Sequence, residues 1–285
     1  MPNRLFYAHI AIFSFGQIKM RQILITGGIE MEEILKVQQI AQTYQAQNGE
    51  LTALENISFA VKKGEFVSIV GPSGCGKSTL LSIVAGMIRP TCGRVLLQGE
   101  AVEGISPRIG YMLQRDNLLE WRSIYQNVLL GLEIQKKLTK ENEAYAAGLL
   151  KAYDLWDFRD KYPSQLSGGM RQRAALIRTL AVRPEVFLLD EAFSALDYQT
   201  RLAVTDDVYR ILKQEGKTTL MVTHDISESI SMSDRVLVLS RRPAHIARVL
   251  DIRFDDPALM PLQRREQRQF QEYFNIIWKE LDVHV

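Results

Sequence analysis

Residues 71–79 read Gly71-Pro72-Ser73-Gly74-Cys75-Gly76-Lys77-Ser78-Thr79, and the rest of the chain is read outward from them. The stretch satisfies G-x-x-x-x-G-K-[ST] in full. Ahead of it, Phe66-Val67-Ser68-Ile69-Val70 is a short apolar run with β-branched residues, predicted as a buried strand. Behind it, Lys77 to Met87 has helical periodicity that stops near Arg89-Pro90. A strand, a glycine loop and a helix form the context this motif needs. The glycines let the backbone curl until successive N–H groups point inward, and the helix N-terminus adds partial positive charge. Lys77 then reaches the β- and γ-phosphates of a nucleotide, Ser78 offers a hydroxyl to Mg²⁺, and Thr79 bonds an α-side oxygen. The flanking elements weigh against a plain glycine turn capping a helix. Cys75 is read as a tolerated small residue, not a redox centre.

The 285 residues are 46% hydrophobic and 24% charged, with a net charge of +2. That composition supports a sizeable globular core and argues against bulk nucleic-acid binding by phosphate neutralisation. Cys75 and Cys92 make neither a disulfide framework nor a zinc motif. Residues 5–18 form an apolar run that imitates a signal peptide or anchor but is short of the roughly 20 residues a spanning helix needs. A third reading makes residues 1–30 a leader not translated in vivo. Met31 opens a strand-like pattern, and the codons for Gly27-Gly28 can encode a ribosome-binding site. Peptides from before Met31 in natively made protein would refute it.

Further along, Glu33 to Val61 is strand-like, with a hairpin turn at Gln47-Asn48-Gly49-Glu50. Thr91 to Gly99 predicts a strand and turn, residues 124–160 a helical stretch, and residues 168–182 a helix ended before Pro184. Val186 to Asp190, Thr218 to Thr223 and residues 236–240 read as further buried strands. The alternation predicts an α/β fold with a parallel core. At the end of one strand stand Asp190 and Glu191. Asp190 is placed to hold Mg²⁺ through water, and Glu191 to act as the base that polarises the attacking water. Together the loop and the acids describe a Mg²⁺-dependent nucleotide hydrolase or switch.

Leu166-Ser167-Gly168-Gly169-Met170-Arg171-Gln172-Arg173 narrows the class. Ser167 can cap a helix from Gly168, and the two glycines leave its first N–H groups uncovered, a second anion site. The competing reading is a capped helix start with no ligand. Here the chain resembles the ATP-binding subunits of ABC transporters, whose signature is LSGGQ or a close variant followed by a basic R-Q-R-like stretch. Met170 in place of Gln resembles the nitrate, sulfonate and taurine importers, which also include thiamine-precursor carriers.

That resemblance implies a P-loop NTPase core with a mostly parallel sheet, an antiparallel β subdomain and a helical subdomain inserted at about 115–180, within an ATPase domain of residues 31–250. It implies ATP as the nucleotide, bound between the loop of one subunit and Ser167, Gly168, Gly169 and Met170 of another, in a homodimer or pair. Gln114 matches the glutamine that reaches Mg²⁺ and water, Asp197 the segment touching the partner subunit, His224 the histidine at the γ-phosphate, and Tyr44 the aromatic that stacks on adenine. The competing readings for Tyr44 and His224 are core residues.

The interval from Gln114 to Leu166 is too short for the coiled coil of DNA-repair relatives, and no second loop-and-signature set is present. No transmembrane stretch accompanies the ATPase. The resemblance therefore implies a separate membrane permease, with a periplasmic or lipid-anchored substrate-binding protein behind it, and a location on the cytoplasmic face of the membrane. Residues 117–128, NLLEWRSIYQNV, and Ser240-Arg241-Arg242-Pro243 are also similar to the import family. Leu118 and Trp121 become candidate permease contacts, against packing of the subdomain itself. A soluble non-transport ABC ATPase, a regulator or assembly factor, is the alternative. Residues 251–285 are read as an extension with one amphipathic helix from Pro261. In it Phe270, Tyr273, Phe274, Ile277 and Leu281 pack inward, and Arg264, Arg265 and Arg268 form a solvated face.

Overall fold

The computed structural model describes residues 32–46 and 49–283. The leader assigned to residues 1–30 and the Gln47-Asn48 part of the hairpin turn lie outside the described residues. In chain order the strands are β1 (Glu33–Ala46), β2 (Gly49–Lys62), β3 (Phe66–Val70), β4 (Cys92–Leu97), β5 (Glu100–Ala101), β6 (Ile109–Met112), β7 (Val186–Asp190), β8 (Thr218–Val222), β9 (Arg235–Leu239) and β10 (Ile246–Asp251). The helices are α1 (Lys77–Val84), α2 (Ile124–Ile134), α3 (Lys140–Ala152), α4 (Gly168–Ala181), α5 (Tyr198–Gln214), α6 (Ile226–Met232), α7 (Pro261–Arg265) and α8 (Arg268–Val283).

The continuous apolar runs become the central sheet, in the order β10-β9-β3-β8-β7-β6. The five strands β9, β3, β8, β7 and β6 are parallel, and only β10 runs antiparallel. Every residue of β3 and β8 is buried, as a sheet covered on both faces requires. Side chains divide with the period of two. On β7, Phe187 and Leu189 face a core shared with α2, α3, α4 and α5, while Val186 and Leu188 face one shared with α1 and the antiparallel strands. That second sheet has the order β2-β1-β4-β5. Ala244 joins the two sheets, with Glu55 N–H donating to its carbonyl at 2.9 Å and its own N–H to Ala53 O at 3.0 Å.

Several local expectations shift. The stretch 124–160 is not one helical run. Its chain turns through Lys136 at φ 55° and restarts at Thr139, which caps α3 by accepting from Asn142 N. The tail likewise divides into α7 and α8. Ile252, Phe270 and Ile277 bury themselves against Val70, Val236, Val238 and Ile230, with Tyr273, Phe274 and Leu281 packed at the margin. Arg264 does not belong to a solvated face. It is 5% exposed, and its guanidinium donates to Leu259 O, Ser231 O and the Tyr209 hydroxyl, at 3.0, 3.1 and 2.6 Å. Two of these partners, Ser231 and Tyr209, lie in distant segments, which the local charge pattern could not show.

Candidate active site

Strands β9, β3, β8, β7 and β6 are all parallel, so the loops after them emerge along one edge of the sheet, where α/β folds carry their ligands. After β3 the chain enters the glycine loop. Gly76 has φ 121°, and a Cβ there would lie 2.8 Å from the Leu54 side chain on β2. Only glycine both adopts that backbone and fits under the neighbouring strand. Cys75 is buried with its sulfur against Gly71, and burial raises its thiol pKa, which suits a packing role. Lys77 begins α1, and its ammonium donates to the carbonyls of Gly71 and Pro72 at 2.9 and 3.0 Å. Tyr44, near the end of β1, is 36% exposed, and its hydroxyl donates to Thr79 Oγ1 at 3.4 Å.

Ser78 Oγ donates to Asp190 Oδ1 at 3.1 Å, which links the loop to the end of β7. Tyr111 on β6 donates to the other Asp190 oxygen at 2.9 Å. Burial raises the Asp190 pKa, opposed by these two hydrogen bonds. The Tyr111 phenol is raised by burial and the Asp190 charge, so it stays a neutral donor. Sequence reading missed Tyr111, whose partner lies on another strand. Next in the chain, Glu191 sits at φ 46°, a left-handed backbone that costs a non-glycine residue of order 1–3 kcal/mol. Its Oε2 is 3.3 Å from His224 Nδ1, beyond β8. Gln114 does not bond Ser78 or Asp190. Its amide donates to Ser194 Oγ at 3.1 Å, and that hydroxyl donates to the Glu191 carbonyl at 2.9 Å. Arg242, after β9, donates to the Gly74 carbonyl and so touches the glycine loop. No sequence signal singled out that contact.

The signature segment lies at the start of α4. Ser167 caps this helix, accepting from Met170 N at 3.3 Å. Added Cβ atoms at Gly168 and Gly169 would stand 3.3 Å from Leu196 and 3.1 Å from Val204, so these glycines also admit the following segment. Among the described residues no hydrogen bond or ion pair joins residues 167–170 to residues 71–79 of the same chain. The basic stretch after the signature is structural. Arg171 bonds Asp116 at 3.1 Å and Leu166 O at 2.8 Å, and Gln172 donates to Ala192 O. It ties α4 to the loops that carry Gln114 and Glu191. Asp197 caps α5 by accepting from Thr200 N at 3.0 Å, a bond that lowers its pKa.

The segment before α2 separates two candidates that the sequence treated alike. Trp121 is 74% exposed, whereas Leu118 is buried in the helical core. Asn127, fully buried, holds this segment: it donates to Leu119 O, Arg122 O and Ser123 O and accepts from Leu119 N at 2.7 Å.

Comparison with known proteins places these residues among relatives. A family profile described as ABC transporter matches residues 54–194. An uncharacterized ABC transporter ATP-binding protein, YtlC of Bacillus subtilis (strain 168), is 50% identical over 87% of this chain and 95% of its own. A taurine import ATP-binding protein, TauB of Jannaschia sp. (strain CCS1), is 38% identical over 78% of this chain and 83% of its own. Among solved structures, the dimeric post-hydrolysis state of the ATP-binding cassette MJ0796 bound to ADP and Pi superposes with a TM-score of 0.66. It is 31% identical and covers 78% of this chain and 100% of its own.

Proposed function

Because this chain belongs to the ABC transporter family, we propose that it is the ATP-hydrolysing subunit of an importer, powering uptake of a small solute of the nitrate, sulfonate, taurine or pyrimidine-precursor type through a separate membrane permease. The observation that carries the hydrolytic part is the convergence of Ser78, Asp190, Glu191 and His224 on one sheet edge, with contacts of 3.1 and 3.3 Å. The likeness to the taurine import protein supports the transport part.

In this reading the loop N–H groups and Lys77 bind the phosphates, with the lysine exchanging its carbonyl partners for phosphate oxygens. Tyr44 stacks on the adenine. Ser78, Asp190 and Gln114 offer only oxygen donors, the preference of a hard divalent cation, so they fit Mg²⁺. When bound, that ion neutralises charge on the transferring phosphoryl group. Glu191 orients and deprotonates the water, and His224, turned toward it, contacts the γ-phosphate. Ser167, Gly168, Gly169 and Met170 present a capped helix N-terminus to the nucleotide of a second copy, and Asp197 meets that copy. Trp121, exposed on a segment ordered by Asn127, is the contact we assign to the permease. No helix among the described residues is long and apolar enough to cross a membrane, which fits a peripheral subunit at the cytoplasmic face. A substrate-binding protein completes the proposed importer without touching this chain.

The test is Glu191→Gln. The variant keeps the shape of the side chain and loses the base. ATP binding by equilibrium titration stays near wild type, while turnover falls on the order of 10²–10⁴-fold. Wild-type turnover in that variant sinks the assignment. Co-purification of tagged chain from membranes with an integral protein tests the transport half, and recovery without one counts against it.

A further inference from the structure

His224 stands in a turn that is fastened from behind. Its neighbour Thr223 is buried; the Thr223 hydroxyl accepts from Asp225 N at 3.0 Å and donates to Glu228 Oε2 at 2.8 Å. Asp225 Oδ1 caps α6, accepting from Ser227 N and Glu228 N at 2.7 and 3.2 Å. The turn thus closes on its own hydrogen bonds. Two carboxylate oxygens are left over: Asp225 Oδ2 and Glu228 Oε1, the latter buried with no hydrogen-bond partner. Both face one guanidinium. Arg201 on α5 places Nη1 3.9 Å from Asp225 Oδ2 and Nε 3.9 Å from Glu228 Oε1. Arg201 lies one helical turn from Asp197, and its N–H donates to the Asp197 carbonyl at 2.8 Å.

We propose that Arg201 is a positioning residue for ATP hydrolysis, linking the helix that begins at Asp197 to the turn that carries His224. The proposal rests on the reading that His224 and Glu191 act on nucleotide and that Asp197 meets a second subunit. Arg201 is not needed to fold the turn, because donors within the turn already engage both acids. What it adds is a connection between elements. A guanidinium is a planar fork and can span two carboxylates, which an ammonium does less well. At 3.9 Å both pairs are longer than the roughly 2.7–2.9 Å of a charge-assisted hydrogen bond. A displacement of about 1 Å at the start of α5 would therefore tighten or release them. α5 is a 17-residue helix, so a shift at Asp197 carries Arg201 with it. Closure of the dimer on Asp197 would in this way set the His224 turn in the same chain. Burial raises the Glu228 pKa, opposed by the Thr223 hydrogen bond; the nearby Asp225 charge adds to the rise, and the Arg201 and Arg265 charges oppose it.

The experiment uses the full chain with Arg201→Gln and Glu228→Gln, which keep hydrogen-bonding shape and remove one charge each. We expect melting temperature and KM for ATP to stay near wild type, with kcat falling about tenfold or more in each. The double variant should be no slower than either single, and Arg201→Gln added to His224→Ala should be no slower than His224→Ala alone, because the residues act as a unit. Values of kcat within about threefold of wild type, losses that multiply with that of His224→Ala, or a loss of kcat matched by a loss of melting temperature would overturn it. An inactive wild type, or an active Glu191→Gln, strikes the proposed function and not this link.

Discussion

Single residues at the sheet edge are held against their own preferences. Glu191 carries a left-handed backbone, Asp190 a side chain whose charged form burial disfavours, and Gly76 a φ of 121°. Replacing Gly76 with alanine forces a side chain onto Leu54 in a backbone it disfavours, which costs about 1–3 kcal/mol. We expect a lower melting temperature and, in a nucleotide titration, weaker ATP binding. Glu228 makes the pH argument. Its folded pKa is raised above the ordinary 4.5, so the folded state holds the proton more tightly than the unfolded one. Wild type thus loses stability as pH rises through the raised value, and Glu228→Gln escapes that loss. The variant should melt at or above wild type at pH above the raised value, with the advantage shrinking as pH falls toward the ordinary 4.5 and absent below it; calorimetry across pH reads this. Lys77, Ser78 and the two acids are legible in the sequence because one motif each contains them. The contacts of Tyr111 with Asp190, Arg242 with Gly74 and Glu228 with Arg201 are not, because each joins residues far apart in the chain.

Helix ends carry the next level of information. Ser167 and Asp197 cap α4 and α5; the sequence announces the first through its Ser-Gly-Gly pattern, and the structure adds the second. Ser167→Ala should lower stability by about 1 kcal/mol, read in a denaturant melt. The same variant should slow hydrolysis more than that loss explains, if the helix start serves a second copy's nucleotide. Asn127→Ala should release the 118–123 segment. It leaves carbonyls without a donor in a buried setting, at about 1–3 kcal/mol for each group that water cannot reach, and faster amide exchange in that segment is the measurement. The restart at Thr139 is hidden in the sequence by helix-forming residues on both sides. β6 has only four residues, and β10 is an edge strand with no buried residue, so neither offers the longer continuous apolar run that marks a buried strand.

At the scale of the whole molecule, the loop and the signature occupy separate places in one chain. If each completes the site of another copy, turnover per chain rises with protein concentration, and Glu191→Gln with ATP elutes as a dimer in size-exclusion chromatography. Elution as a monomer there would exclude the shared site. Ile252, Phe270 and Ile277 cover the apolar residues of β9 and α6. Truncation after Asp251 should therefore lower the melting temperature and expose surface that binds a hydrophobic dye.

From the sequence alone came the phosphate loop, the acids at a strand end, the capped signature helix and the alternation that makes a parallel core. These are local patterns, set by backbone freedom, helix caps and apolar period within short windows. The tertiary structure settled which of them meet. It set Ser78 against Asp190 and Glu191 against His224, buried Arg264 and Leu118 while exposing Trp121, and laid Arg201 between two acids of another helix turn. Such contacts join residues far apart in the chain, and strand order and packing, which no local window contains, determine them.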